Sequence, residues 1–107
     1  MNYNINYTYL FAKELKQLAK KYPSIKVDVS NLSKELQNNP LMGTPLGNNF
    51  YKIRMNIRSK MKGKSGGARV ITFVGIIDKN IFLIAIYDKS DLENISDKEL
   101  KSRLKNL

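Results

Sequence analysis

Residues 51–58 leave the chain little conformational choice. Tyr51, Ile53, Met55 and Ile57 alternate with Lys52, Arg54, Asn56 and Arg58, the period of two that puts apolar side chains on one face of a strand and polar ones on the other. One face must pack on a core, and the other is cationic. Two further runs supply strand partners. Residues 68–77 are too uniformly apolar for an edge and read as a central strand, and residues 81–87 read as another buried strand after the turn Asp78-Lys79-Asn80. The three form an antiparallel meander.

The first half changes period twice. Tyr3, Ile5, Tyr7 and Tyr9 alternate with Asn2, Asn4, Asn6 and Thr8, predicting a short strand over 3–8. Phe11, Leu15, Leu18, Ala19 and Tyr22 then recur at helical spacing until Pro23, and Ile25, Val29, Leu32 and Leu36 form a second stripe that ends before Pro40. So short a turn makes the two helices an antiparallel hairpin. Residues 40–49, with two prolines and two glycines, read as a loop. Ser96-Asp97-Lys98-Glu99 is a capping box opening a last helix with Leu100, Leu104 and Leu107 on its apolar side. The expected fold is α+β: a small antiparallel sheet (the meander plus the N-terminal strand) packed on an N-terminal helical hairpin, with a C-terminal helix, in one domain over 1–107.

Charge narrows the function. The net charge is +10, and all nine acids lie at or before Glu35 or at or after Asp78. The acid-free stretch between them carries Lys52, Arg54, Arg58, Lys60, Lys62, Lys64 and Arg69, a field that suits a phosphate-bearing polymer, RNA above all. The longest apolar run, 81–87, is far too short to span a bilayer, and the N-terminus lacks the pattern of a secretory signal, so a cytoplasmic protein with no membrane partner is expected. Cysteine and histidine are absent, which removes the thiolate nucleophile and the usual zinc ligands; no metal and no cofactor are expected.

Within the basic stretch the residues divide by setting. Lys52, Arg54 and Arg58 are expected to share the outward face of their strand, spaced ~7 Å per two residues, to grip a phosphate backbone. Lys60, Lys62 and Lys64 stand in a Gly/Lys loop whose mobile charges and backbone N–H groups suit phosphate oxygens, without the spacing of a nucleotide-binding loop. Arg69 opens an apolar strand after Gly66-Gly67-Ala68. A guanidinium so placed is partly desolvated and can stabilise charge growing on a phosphate; the competing reading is a structural ion pair with Asp88. Tyr87 and Lys89 flank Asp88 where the last strand ends, and either can exchange a proton if nearby cations favour it.

The runs Gly43-Thr44-Pro45-Leu46-Gly47-Asn48-Asn49, Lys64-Ser65-Gly66-Gly67-Ala68-Arg69-Val70-Ile71 and Ile86-Tyr87-Asp88-Lys89-Ser90, with the helical hairpin, resemble the RelE/ParE superfamily of type II toxin–antitoxin toxins, in the branch near RelE and HigB. That resemblance implies a fold like that of a microbial ribonuclease. It also implies a metal-independent endoribonuclease, an mRNA interferase that enters the ribosome, cuts messenger RNA and inhibits translation, with the ribose 2′-hydroxyl attacking the adjacent phosphate. The implied partners are the ribosome with its messenger and ribosomal RNA, and a cognate antitoxin that lays an acidic segment on the toxin in a heteromeric assembly. Arg69 matches the family arginine after the glycine turn, Lys52 and Arg54 the basic strand, and Lys89 the cationic position after the last strand. The tyrosine that some relatives carry farther toward the C-terminus is not matched, Ile95 standing in that neighbourhood, and the HigB-type histidine is missing, which leaves Tyr87, Lys52 and Lys89 as alternative general bases. Two other readings compete: a ParE-like gyrase poison, which needs no catalytic constellation, and a relative that binds RNA without cutting it.

Overall fold

The computed structural model describes residues 3–60 and 66–107. It contains β1 (Asn4–Tyr7), α1 (Tyr9–Ala19), α2 (Ile25–Asn38), β2 (Thr44–Gly47), β3 (Phe50–Met55), a 3-10 turn (Arg58–Lys60), β4 (Ala68–Gly75), β5 (Asn80–Asp88) and α3 (Asp97–Lys105). The five strands form one sheet in the order β1-β5-β4-β3-β2, with β1 parallel to β5 and the other neighbours antiparallel. The expected α+β architecture of hairpin, meander, N-terminal strand and C-terminal helix is present, with one strand more, and the sheet, expected to be antiparallel, is mixed because β1 runs parallel to β5.

Each helix stripe finds its core. Phe11 and Leu15 of α1 and Ile25, Val29, Leu32 and Leu36 of α2 are buried against one sheet face with Ile53, Val70, Val74, Ile81 and Leu83. Thr8 starts α1 by accepting from the Phe11 N–H at 3.4 Å, while its own hydroxyl donates to the Leu83 carbonyl at 2.8 Å and ties the helix start to β5. On the opposite face α3 seats Leu100 among Phe50, Ile71, Ile84 and Ala85. Ser96 caps α3, accepting from the Glu99 N–H at 3.1 Å, but the other half of the expected capping box is replaced, the Glu99 carboxylate accepting from Arg103 at 2.8 Å.

Three boundaries differ from expectation. Thr44–Gly47, read as loop, is an edge strand, exposed along its whole length and interrupted by a register shift between Pro45 and Gly47. With neither face buried it has no alternation to read, and its proline is tolerated because it lies at the sheet edge. Asn48 and Asn49, at φ 54 and 68, make the tight turn into β3. Gly43 precedes this hairpin at φ +102, where an added Cβ would lie 2.6 Å from the Lys52 carbonyl oxygen. Only glycine serves both that backbone and that approach.

The strand expected over 51–58 ends at Met55, because its partner Ala68 is the first residue of β4 and no rung remains for Asn56. Ile57 stays fully buried, and Arg58 passes into the 3-10 turn. The strand expected over 68–77 ends at Gly75, leaving Ile76 and Ile77 exposed in the turn to β5.

An irregularity in β5 decides which of its side chains share a face. Ile71 pairs with Ala85 but Thr72 pairs with Leu83, so Ile84 is an extra, unpaired residue. Such a bulge reverses the side-chain alternation. Ile81 and Leu83 face the hairpin before it; after it Ile86 does, and Tyr87 joins the α3 side.

Candidate functional site

The bulge brings Tyr87 into line with two arginines. Arg54 of β3 pairs with Arg69 of β4, and Arg69 pairs with Tyr87 of β5, so the three stand side by side across the sheet. They share the α3 face with Lys52, whose cross-strand partner is Ile71 of the α3-side core. The apolar end of that face, around Phe50, Ile71 and Ala85, is covered by Leu100; the rung of Arg54, Arg69 and Tyr87 lies beyond it.

Exposure within the rung is graded. Arg54 is exposed, whereas Arg69 is 4% and Tyr87 7% exposed. An Arg69 terminal nitrogen, Nη1, donates to the Ala68 carbonyl at 3.2 Å. Burial pushes the Tyr87 phenol above its ordinary range, and the Arg69 charge opposes that push only in part. Tyr87 is therefore a neutral hydrogen-bond donor at physiological pH, and its hydroxyl donates to the Glu93 carbonyl at 3.3 Å. Two guanidiniums directly opposite one another repel, and an anion laid across them relieves that cost.

Lys89 flanks the rung. Its backbone N–H donates to the Gly67 carbonyl at 3.0 Å, continuing the β4/β5 pairing one step past Asp88, and its ammonium lies 3.9 Å from the Glu93 carboxylate. Gly67 permits this closure, since an added Cβ there would collide with the Met55 carbonyl oxygen. Lys52 donates to Asn94 Oδ1 at 2.9 Å. The structure thus gathers Lys52, Arg54, Arg69, Tyr87 and Lys89 at one end of one sheet face.

The remaining cations are placed differently. Arg58 does not share the face of Lys52 and Arg54: with β3 ended at Met55, it turns toward α2, 3.8 Å from the buried Asp28 carboxylate, which also accepts its backbone N–H at 3.2 Å. Lys60 is engaged by Asp88 at 2.7 Å and by Ser90 at 3.2 Å. Lys62 and Lys64 lie outside the described residues.

Asp88 itself points to the hairpin side, opposite Ala68 and one rung from Arg69. It is 1% exposed and accepts from the Tyr22 hydroxyl, the Lys60 ammonium, and the Ser90 N–H and hydroxyl. Burial alone would raise its pKa, but the bonds from Lys60, Tyr22 and Ser90 prevail and hold the carboxyl well below the usual carboxylate range. Lys60 is correspondingly raised by its bond to Asp88. The alternative ion pair between Arg69 and Asp88 is thus replaced by one between Lys60 and Asp88, because adjacent residues of β5 face opposite sides.

Sequence reasoning missed Tyr22, Glu93 and Asn94. Glu93 carried a weak local signal, an acid four residues after Lys89. Nothing local joins Tyr22 to Asp88 across 66 residues.

A groove of about 630 Å³ between β1 and the end of α3, lined in part by Tyr7, Tyr9, Phe82 and Leu107, is apolar. Its cation, Arg103, forms a close pair with Glu14 at 2.8 Å while also donating to the Ile84 carbonyl at the bulge at 3.0 Å. The groove lacks the clustered charge that a phosphate backbone needs; the rung of Arg54, Arg69 and Tyr87 has it. No helix of the described residues is long and apolar enough to cross a membrane.

A family model described as the RelE toxin of the RelE/RelB toxin–antitoxin system matches residues 10–106. Among solved structures, a free-state mutant of E. coli toxin RelE with two arginines changed to alanine aligns with a TM-score of 0.64 at 18% identity, covering 100% of this chain and 99% of that one. At that identity the likeness speaks for the fold. No curated protein matches.

Proposed function

Since this chain belongs to the RelE toxin family, we propose that it is the toxin of a type II toxin–antitoxin module, a ribosome-dependent endonuclease that cuts messenger RNA in the cytoplasm until a cognate antitoxin neutralises it. One domain over 1–107 carries the activity. The observation that supports this reading most is the alignment of Arg54, Arg69 and Tyr87 across three neighbouring strands.

In this mechanism the 2′-hydroxyl oxygen attacks the adjacent phosphorus in line. A bond to the 5′-oxygen breaks, leaving a cyclic phosphate on one fragment and a 5′-hydroxyl on the other. Arg69, buried and hence little reorganised, meets the charge that grows on the phosphoryl oxygens. Arg54 and Lys52 hold the flanking phosphates. Tyr87 gives its proton to the leaving 5′-oxygen, a role that suits a phenol held protonated by burial. That assignment leaves Lys52 and Lys89 as the alternatives for the 2′-hydroxyl proton, each able to accept it only in its neutral amine form. Arg58, Lys62 and Lys64 meet ribosomal RNA backbone, and Lys60, tied to Asp88, contributes from the margin.

The test is to induce the chain alone in bacteria and map messenger-RNA ends and DNA breaks, with Arg69→Ala beside it. Transcript cleavage that disappears in Arg69→Ala is the expected result. Cleavage unchanged in that variant, or DNA breaks with intact transcripts, would overturn the proposal, the latter in favour of a gyrase target.

A further inference from the structure

Three of the groups placed at the rung are engaged by one short segment of the same chain. The Tyr87 hydroxyl donates to the Glu93 carbonyl at 3.3 Å, Lys52 donates to Asn94 Oδ1 at 2.9 Å, and Lys89 lies 3.9 Å from the Glu93 carboxylate. Each of these contacts offers an oxygen to a proton donor or a cation, as a phosphate would.

The segment is anchored at both ends. At its root the Asp88 carbonyl accepts from the Asp91 and Leu92 N–H groups at 3.0 and 3.2 Å, and the Asp88 carboxylate accepts from the Ser90 N–H. At its far end Ile95 packs on the α3-side core and Ser96 caps α3. Between the anchors it is open to solvent: Leu92 is 43% exposed and the Glu93 side chain 81%.

We propose that residues 90–95 form an autoinhibitory strap, whose Glu93 and Asn94 occupy the cationic face in the free protein and must yield it to the phosphate backbone of single-stranded RNA. This inference rests on the proposed function of that face. Solvated ion pairs and hydrogen bonds contribute little apiece, so the strap is a weak competitor. It lowers affinity without abolishing it, and both anchors hold while the arch between them shifts.

The experiment measures binding of a fluorescein-labelled 2′-O-methyl RNA oligonucleotide, which lacks the attacking hydroxyl, to the full chain. A double variant, Glu93→Gln with Asn94→Ala, is compared with wild type and with Asp91→Asn. The last makes the same change of one charge two residues away at an exposed position, and Arg69→Ala reports on the face itself. Thermal unfolding checks that all variants fold. The strap predicts that the double variant lowers Kd about threefold to tenfold, with less than about a twofold change in Asp91→Asn, on the scale of exposed pairs. A double variant equal to wild type, or an Asp91→Asn effect as large as that of the double variant, overturns the strap; if Arg69→Ala still weakens binding, the proposed function of the face survives. Failure of every form to bind RNA overturns both.

Discussion

Two neighbouring rungs of the sheet are built for opposite ends. Met55, Ala68 and Asp88 form one, facing the helical hairpin; Arg54, Arg69 and Tyr87 form the next, facing α3. They lie one residue apart, ~3.3 Å along the strands, and the pleat alone sends them to opposite faces. On the first, a buried carboxylate is satisfied by Tyr22, Lys60 and Ser90, which join the hairpin turn, the 3-10 turn and the end of β5. On the second, like charges stand opposite each other beside a phenol held protonated. The locked rung fixes the backbone from which the second rung projects, so positive charge accumulates where the proposed function needs an anion to bind.

Breaking the locked rung should cost the most. Asp88→Ala removes the counter-charge of Lys60, and we expect a loss of about 3 kcal/mol in urea unfolding at neutral pH, the scale for stripping one partner from a buried pair. The pH dependence has a defined sign. Because the folded-state pKa of Asp88 is depressed, its contribution is fully present above the ordinary carboxylate range and is lost as pH falls from about 5. Asp88→Ala should flatten that acid limb; an unchanged limb would remove Asp88 as its source.

On the rung of Arg54 and Arg69, Tyr87→Phe leaves the packing and removes only the hydroxyl. Cleavage should slow about a hundredfold, as for loss of a proton donor, while unfolding shifts by no more than about 1 kcal/mol for one lost hydrogen bond. Parallel losses in both would make Tyr87 a structural residue. The raised phenol pKa adds a second sign: stability should be flat below the unfolded value near pH ~10 and fall as pH rises through the higher folded one, and Tyr87→Phe should remove that fall.

The smallest effect belongs outside both rungs. Arg58, with its side chain 69% exposed and 3.8 Å from Asp28, should change stability by less than about 0.5 kcal/mol when replaced by alanine, while the salt dependence of RNA binding becomes shallower by about one unit of slope. A large loss of stability would mean that the 3-10 turn depends on its ion pair.

Much of this architecture is legible in the chain. The alternation of residues 51–58, the two helical stripes and the cap at Ser96 are strong local signals, and each becomes an element of the expected type, the strand ending three residues early. What local pattern cannot carry is parity and distance. The unpaired Ile84 looks like any other apolar residue of its run, yet it alone sends Tyr87 to the face of Arg69. Exposed β2 lacks a buried side to betray it, and Arg58 continues the alternation past the point where pairing residues run out. The cations of the basic stretch are legible as charges without acids; their sorting onto two faces, with Lys60 drawn to Asp88, requires the fold.

The central claim, that the rung of Arg54, Arg69 and Tyr87 meets the reacting phosphate, is tested most directly by single-turnover cleavage of messenger RNA on programmed ribosomes, with Arg69→Ala against wild type and unfolding free energies measured on both. We expect a rate at least about a hundredfold lower for Arg69→Ala, the scale of losing a group that stabilises transition-state charge, with the variant still folded. An undiminished rate in a folded Arg69→Ala protein would contradict it.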